Sequence, residues 1–294
     1  MPNVRIGVSV CARAHRESAG GAGQPGPGAA AYRDPYERTA TMRTGRPRIT
    51  AIIITALLVT ALPMTAAAAR PDNPGGKPPP PPDPGPISWS GYDWDVKSHS
   101  RKIGPGPNFF SSANVEVVGD ALHLSITKSG NKWYAAEVIN TQSLGYGTYS
   151  WTVGPMGPLD PQVVLGLFTW NDDPAYNHRE IDFEYAKWGN ASDPNNAQYV
   201  VQPWDNEGNE HRWEQAVFDV SITHSFTWSP TEVVFRSTTA SGALLHEWTY
   251  SGPDVPQAGG ENARMNLWLF RGAAPQNGLP VTVVLESFTH TPRP

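Results

Sequence analysis

Three carboxylates fall on alternate positions in "HREIDFEYAKWGN", residues 178–190: Glu180, Asp182 and Glu184, separated by Ile181 and Phe183. A period of two is that of a β-strand, so the acids share one face and Ile181, Phe183 and Tyr185 the other. The apolar set reads as the side packed into a core. The acids read as the side turned to a concave surface or to solvent. Residues four apart on a strand lie about 13 Å apart along the backbone, a gap that two Glu side chains can close by leaning together. Carboxyl groups about 5–5.5 Å apart suit double displacement at an acetal carbon, whereas about 6.5–9.5 Å leaves room for a water to attack directly. In the shorter geometry Glu180 would attack the anomeric carbon and Glu184 would protonate the departing oxygen. Three acids in one cleft cannot all ionise cheaply, so at least one proton is kept at neutral pH. A central Asp182 can share a hydrogen bond with the attacking group. The plainer alternative is a solvated acidic face balanced by Arg179 and Lys187, but like charges on one strand face cost stability.

The elements that must hold this strand are strands too. After residue 87, helical periodicity gives way to short, often alternating stretches: "NVEVVG", "ALHLSITK", "WYAAEVIN", "GTYSWTV", "VVLGLFTW", "EIDFEY", "AQYVVQP", "HSFTWSP", "EVVFRST", "LLHEWTY", "RMNLWLF" and "VTVVLESFTH". Turns rich in Gly, Pro, Asn and Asp separate them. About a dozen strands without helical crossovers predict an all-β, two-sheet antiparallel sandwich. "SGNKWY" and "SLGYGTY" read as hairpin turns, and no internal repeat is visible. All 11 tryptophans fall between Trp89 and Trp268, more than a core of this size normally needs, and flat indoles are surfaces on which pyranose rings stack.

These residues carry a resemblance. "HREIDFE" resembles the Glu-x-Asp-x-Glu signature of glycoside hydrolase family 16, and "NVEVVGDALHLSIT", "AEVINTQSLGYGTYSW", "HSFTWSPTEVVF" and "MNLW" are similar to other family segments in the same order, from about Gly91 to Thr291. The resemblance implies a concanavalin A-like jelly roll with a concave glycan cleft. It implies retaining, endo-acting hydrolysis of β-glucan-type polysaccharide, with Glu180 as nucleophile, Asp182 as assisting carboxylate and Glu184 as acid/base. The motif lacks the extra residue of the laminarinase and agarase branch, so it is more similar to lichenases and plant xyloglucan endotransglycosylases. His178 is like the residue of the xyloglucan group, where lichenases more often have Trp. Transglycosylation by the same glutamates is the alternative, and a non-catalytic carbohydrate-binding sandwich is the alternative of another class.

Substrate-binding candidates surround the triplet. Trp170 and Asn171 end the strand before it. His178 stands two positions ahead of Glu180 on the same strand parity as the three acids, where it could hydrogen-bond one of them. Gln202 and Trp204 follow in "YVVQPW", where Pro203 should end the strand. Asn266 and Trp268 share a face in "MNLW". Glu137, an acid in an apolar strand, reads as half of a buried ion pair. No cofactor is required and no metal ligands are assigned. The resemblance allows a structural calcium on the convex side, although Glu286 stands where the family usually has Asp. There is no zinc-type spacing of His, Asp and Glu, and no Gly-x-Ser-x-Gly elbow.

The chain of 294 residues divides by composition. Residues 1–41 are rich in Gly, Ala and Arg without apolar period and read as an extension from a mis-assigned start. Residues 42–69 have a basic start, a short apolar run from Ala51 to Leu62 and small residues at 67–69, the layout of a secretory signal peptide. Residues 70–86 are a Pro-rich linker, and 87–294 form the catalytic domain. Export follows from this reading, with no stable membrane span after cleavage. Residues 70–294 carry 14 basic and 24 acidic side chains, a poor balance for nucleic acid; the resemblance implies a polysaccharide as partner, and a monomer is expected. The one cysteine, Cys11, lies in the leader, so the domain must stand without disulfides.

Overall fold

The computed structural model describes residues 85–293. The segments 1–41 and 42–69 and nearly all of the 70–86 linker lie outside the described residues. The strands are β1 (Ile87–Trp89), β2 (Tyr92–Val96), β3 (Phe109–Phe110), β4 (Val115–Val118), β5 (Ala121–Ser129), β6 (Lys132–Ser143), β7 (Gly147–Val153), β8 (Val163–Trp170), β9 (Ile181–Tyr185), β10 (Ala197–Val201), β11 (Glu210–Trp213), β12 (Ile222–Trp228), β13 (Val233–Thr239), β14 (Leu244–Tyr250), β15 (Asn262–Leu269) and β16 (Val281–Pro292). The fold is the all-β sandwich expected. Among the described residues no helix is long and apolar enough to cross a membrane.

One layer runs β11-β10-β9-β8-β15-β6, with β2 also on β6 and β1 on β2. The other runs β5-β16-β7-β12-β13-β14, with β4 on β5. The β5–β6 hairpin, turning at Gly130 with φ 58°, joins the layers where Thr127–Ser129 pair with Lys132–Tyr134. Every pairing is antiparallel except the short β3–β6 contact.

Alternation builds the interior. Val163, Leu165 and Leu167 of β8, Ile181, Phe183 and Tyr185 of β9, Tyr199 and Val201 of β10, and Met265 and Leu267 of β15 point inward. They meet Trp151, Phe226, Trp228, Phe235 and Phe288 of the opposite layer. Apolar burial of this extent, at about 25 cal/mol per Å², supplies what disulfides would otherwise add. Six of the eleven tryptophans are buried (Trp89, Trp94, Trp151, Trp213, Trp228 and Trp268), so much of the indole content that hinted at sugar stacking serves the core.

"SLGYGTY" does not form a hairpin. β6 pairs with β2, β5 and β15, and β7 pairs with β12 and β16, so the segment carries the chain from one layer to the other. Turn residues mark a change of direction without fixing whether the next strand pairs with the last. Four strands go beyond the expectation: β1, β3 and β11 are short, while β2 alternates regularly in YDWDV but carries two Asp residues, which strands disfavour.

Candidate active site

The strand β9 sits between β8 and β10 in full antiparallel register. Its inner face is held from across the sandwich. The Phe183 ring stacks on His224 with centroids 3.7 Å apart, and Tyr185 Oη and His224 Nε2 are 3.0 Å apart. His224 Nδ1 lies 2.8 Å from Ser237 Oγ. Burial pushes His224 down to about 3, so it serves as a neutral strut.

The outer face carries the acids. Asp182 is 3 % exposed and lies opposite Phe168 of β8 and Val200 of β10. It shares a hydrogen bond with Glu180, whose backbone precedes the strand in extended conformation. Gln202 Nε2 donates to Asp182 Oδ2 at 3.2 Å. Burial, then the Glu180 charge, push the Asp182 carboxyl well above its ordinary range, against the pull of the Gln202 hydrogen bond. Asp182 therefore keeps a proton that it can donate to Glu180.

Glu184 lies between Gly166 and Gln198. Burial, then the neighbouring Asp182 carboxyl, push its carboxyl well above the ordinary range. The hydrogen bond from Gln198 Nε2 to Glu184 Oε2, 2.8 Å long, and the Arg212 guanidinium pull it back, while Glu210 adds to the rise. Gln198 was not among the sequence candidates. The sequence carries a signal for it: Gln198 on β10 and Gln202 just past its end share the parity that faces the acids. The Trp188 indole donates to Gln198 Oε1 at 3.0 Å, which turns the amide nitrogen toward Glu184.

The other candidates are distributed around this center. Asn266 and Trp268 do share the cleft face of β15, opposite Gly166 and Val164. Asn266 Nδ2 points to Glu137 Oε2 at 3.5 Å, and its buried Oδ1 has no donor among the described residues. That oxygen leans so closely over β8 that a Cβ on Gly166 would lie 2.6 Å from it. Trp268 packs with Phe110, Ala135, Val164, Ala186 and Phe270, so little of its ring faces the cleft. Glu137 is the buried ion-pair partner expected, 1 % exposed, with Lys97 Nζ at 2.9 Å and Arg264 Nη1 at 3.7 Å.

Trp170 stacks on His178 at 4.0 Å, with planes 9° apart, and donates through Nε1 to Asp172 Oδ1 at 3.0 Å. Asn171 accepts from the Asp173 amide and donates to Gly259 O at 3.1 Å, so its side chain braces the loop. His178 does not follow the strand parity. Tyr176, Asn177, His178 and Arg179 all have left-handed backbone, with φ between 51° and 60°, and the strand begins only at Ile181. His178 Nδ1 lies 2.8 Å from Asn171 O and closes this turn. The strand β10 ends at Val201, before Pro203, and the Trp204 amide donates to Gln202 Oε1 at 2.9 Å.

Among the described residues no three His, Cys, Asp or Glu converge as metal ligands, and Glu286 accepts a hydrogen bond from Ser221 Oγ at 2.8 Å. The described side chains thus form no calcium ligand set of that kind.

No protein-family model matches the sequence, and no curated protein matches it. Solved structures do match. Bacillus licheniformis β-glucanase is similar at 22 % identity and a TM-score of 0.55, over 71 % of this chain and 99 % of that one. A glycoside hydrolase family 16 endo-glucanase from Bacteroides ovatus is similar at 14 % identity and a TM-score of 0.52, over 67 % and 94 %. A Mycobacterium tuberculosis protein described as an immunostimulatory antigen and pseudo β-1,3-glucanase is similar at 22 % identity and 0.51, over 67 % and 89 %. The chain has the fold of these β-glucanases. One of them is a pseudo-enzyme by its description, so the fold does not by itself decide catalysis.

Proposed function

We propose that this chain, built on the β-glucanase fold, is an exported, retaining endo-glycoside hydrolase acting on a β-glucan. The observation that carries the reading is the division of protons along β9: Asp182 and Glu184 are pushed toward their neutral forms, and Asp182 hydrogen-bonds Glu180. A retaining glycosidase needs one ionised carboxylate and one protonated acid on either side of the scissile bond.

In the first step Glu180 attacks the anomeric carbon and the C–O bond to the leaving sugar breaks. Glu184 gives its proton to the departing oxygen. Asp182 donates its hydrogen bond to Glu180 and holds the carboxylate in line while charge leaves it. In the second step Glu184, now a carboxylate, takes a proton from water as that water attacks the glycosyl ester. Glu180 is released and Glu184 is again protonated. The Asn266 Oδ1, buried without a donor among the described residues, offers an acceptor to a sugar hydroxyl on the cleft floor.

A reducing-end assay on lichenan, barley β-glucan, laminarin, xyloglucan and agarose tests the activity, and failure on every polymer would sink it. Glu180→Gln should abolish turnover while glycan affinity and the thermal midpoint stay near those of the native protein. Wild-type turnover in that variant would remove Glu180 from the role of nucleophile.

A further inference from the structure

The two outermost strands of the sandwich are β11, at one end of the cleft layer, and β14, at the end of the other. His211 lies opposite Tyr199, and His246 opposite Ser237, so each faces the interior at the open side between the layers. Their Nε2 atoms are 2.7 Å apart. The rings sit in an aromatic stack: Trp213 lies on His246 at 4.1 Å with planes 7° apart, and Trp248 lies beside His211 at 5.7 Å and 16°. Packing of this kind keeps the two rings beside each other, with centroids 4.9 Å apart and the nitrogens facing head-on.

From this geometry we infer that His211 and His246 form a two-imidazole clamp for a borderline divalent cation of the copper or zinc class. Two neutral imidazoles facing at this distance share one proton, with one Nε2–H donating to the lone pair of the other. When a cation binds, both Nε2 lone pairs become ligands and the donor ring shifts its proton from Nε2 to Nδ1, so both imidazoles stay neutral. Metal–nitrogen bonds of about 2.0–2.1 Å at angles between square and tetrahedral need the nitrogens about 2.9–3.4 Å apart. The rings meet nearly head-on, and turning each by about 20–30° brings both lone pairs onto one cation. Both histidines are half-buried, which leaves the remaining coordination positions to water.

Burial lowers both imidazoles from their ordinary range, and His211 lowers His246 further, so the ligating neutral forms prevail at neutral pH. The nitrogen donors disfavour calcium and magnesium, which take oxygen ligands, and favour copper over zinc. A bound cation would tie the free edge of one layer to that of the other, a cross-link in a domain whose only cysteine lies far upstream. The clamp is remote in sequence from the carboxylate strand and independent of the proposed hydrolysis.

The test is thermal unfolding of the metal-stripped full chain with one equivalent of copper(II), zinc(II) or calcium(II). Copper and zinc should raise the midpoint by several degrees and calcium should not. The shift should vanish in His211→Phe and in His246→Phe, each of which keeps a flat ring in the stack. An unchanged shift in both variants, no shift in the native protein, or an equal shift with calcium overturns the clamp. Should either variant fail to fold, pulsed EPR of the native copper form decides. Two coordinated imidazole nitrogens support the clamp, and one or none overturns it.

Discussion

Gln198 presents its amide nitrogen to Glu184 because its oxygen is already taken: Trp188 donates to Gln198 Oε1 at 3.0 Å, and Gln198 Nε2 then reaches Glu184 Oε2 at 2.8 Å. The hydrogen bond favours the ionised carboxyl and opposes the rise that burial and Asp182 impose. The proposed acid is thereby kept ready to give up its proton in the first step and to be ionised for the second.

Removing that donor tests the balance. In Gln198→Leu the Glu184 carboxyl loses a contact that stabilises its charge and rises further. The alkaline limb of the kcat/KM profile, set by loss of the Glu184 proton, should then move to higher pH, with a drop in kcat of about tenfold from slower deglycosylation. An alkaline limb that stays in place would show that Glu184 does not govern it.

The buried Asp182 makes a prediction about stability. Its folded carboxyl holds a proton that the unfolded chain releases. The group is therefore neutral to stability below the ordinary Asp range and increasingly costly as pH rises toward its raised native value. Asp182→Asn should melt higher than the native protein at neutral pH, with the difference shrinking toward pH 4. Activity should fall on the order of 100-fold. Thermal scans across pH with both proteins check the sign.

Glu137 balances two cations at once. In Glu137→Gln, Lys97 and Arg264 lose their buried partner, while Arg264 keeps Asp172 at 3.2 Å. The variant should lose about 3 kcal/mol of stability, the usual cost of leaving half of a buried pair, read by urea unfolding.

Gly166→Ala places a methyl group against Asn266 Oδ1. Asn266 must turn away, so KM should rise several-fold while kcat changes little. Equal KM values for the two proteins would remove Asn266 from the sugar-binding floor.

Much of this was legible because alternation on β9 is strict: the faces of Ile181, Phe183 and Tyr185 and of the three acids follow from a period of two. Glu137 was legible because a carboxylate in an apolar strand requires a cation. Its partners, Lys97 and Arg264, were not, since they come from the residue after β2 and from β15, brought together by strand order rather than by sequence. His178 was misplaced on the strand because nothing in "AYNHRE" announces four successive residues in left-handed backbone; such a turn costs energy that tertiary contacts must offset. Gln198 escaped notice because a glutamine in a strand is unremarkable until the acid opposite is known.

Those tertiary contacts reach beyond the turn itself. Asn171 Nδ2 donates to Gly259 O at 3.1 Å, and Arg179 Nε donates to Gln257 O at 2.8 Å. The loop that leads into the carboxylate strand is thus riveted at both ends to a segment of chain some 80 positions further on. The two segments form one jamb beside Trp170. Substitutions at 257–259, which touch neither acid nor sugar, should therefore be felt as changes in which glucan chain fits.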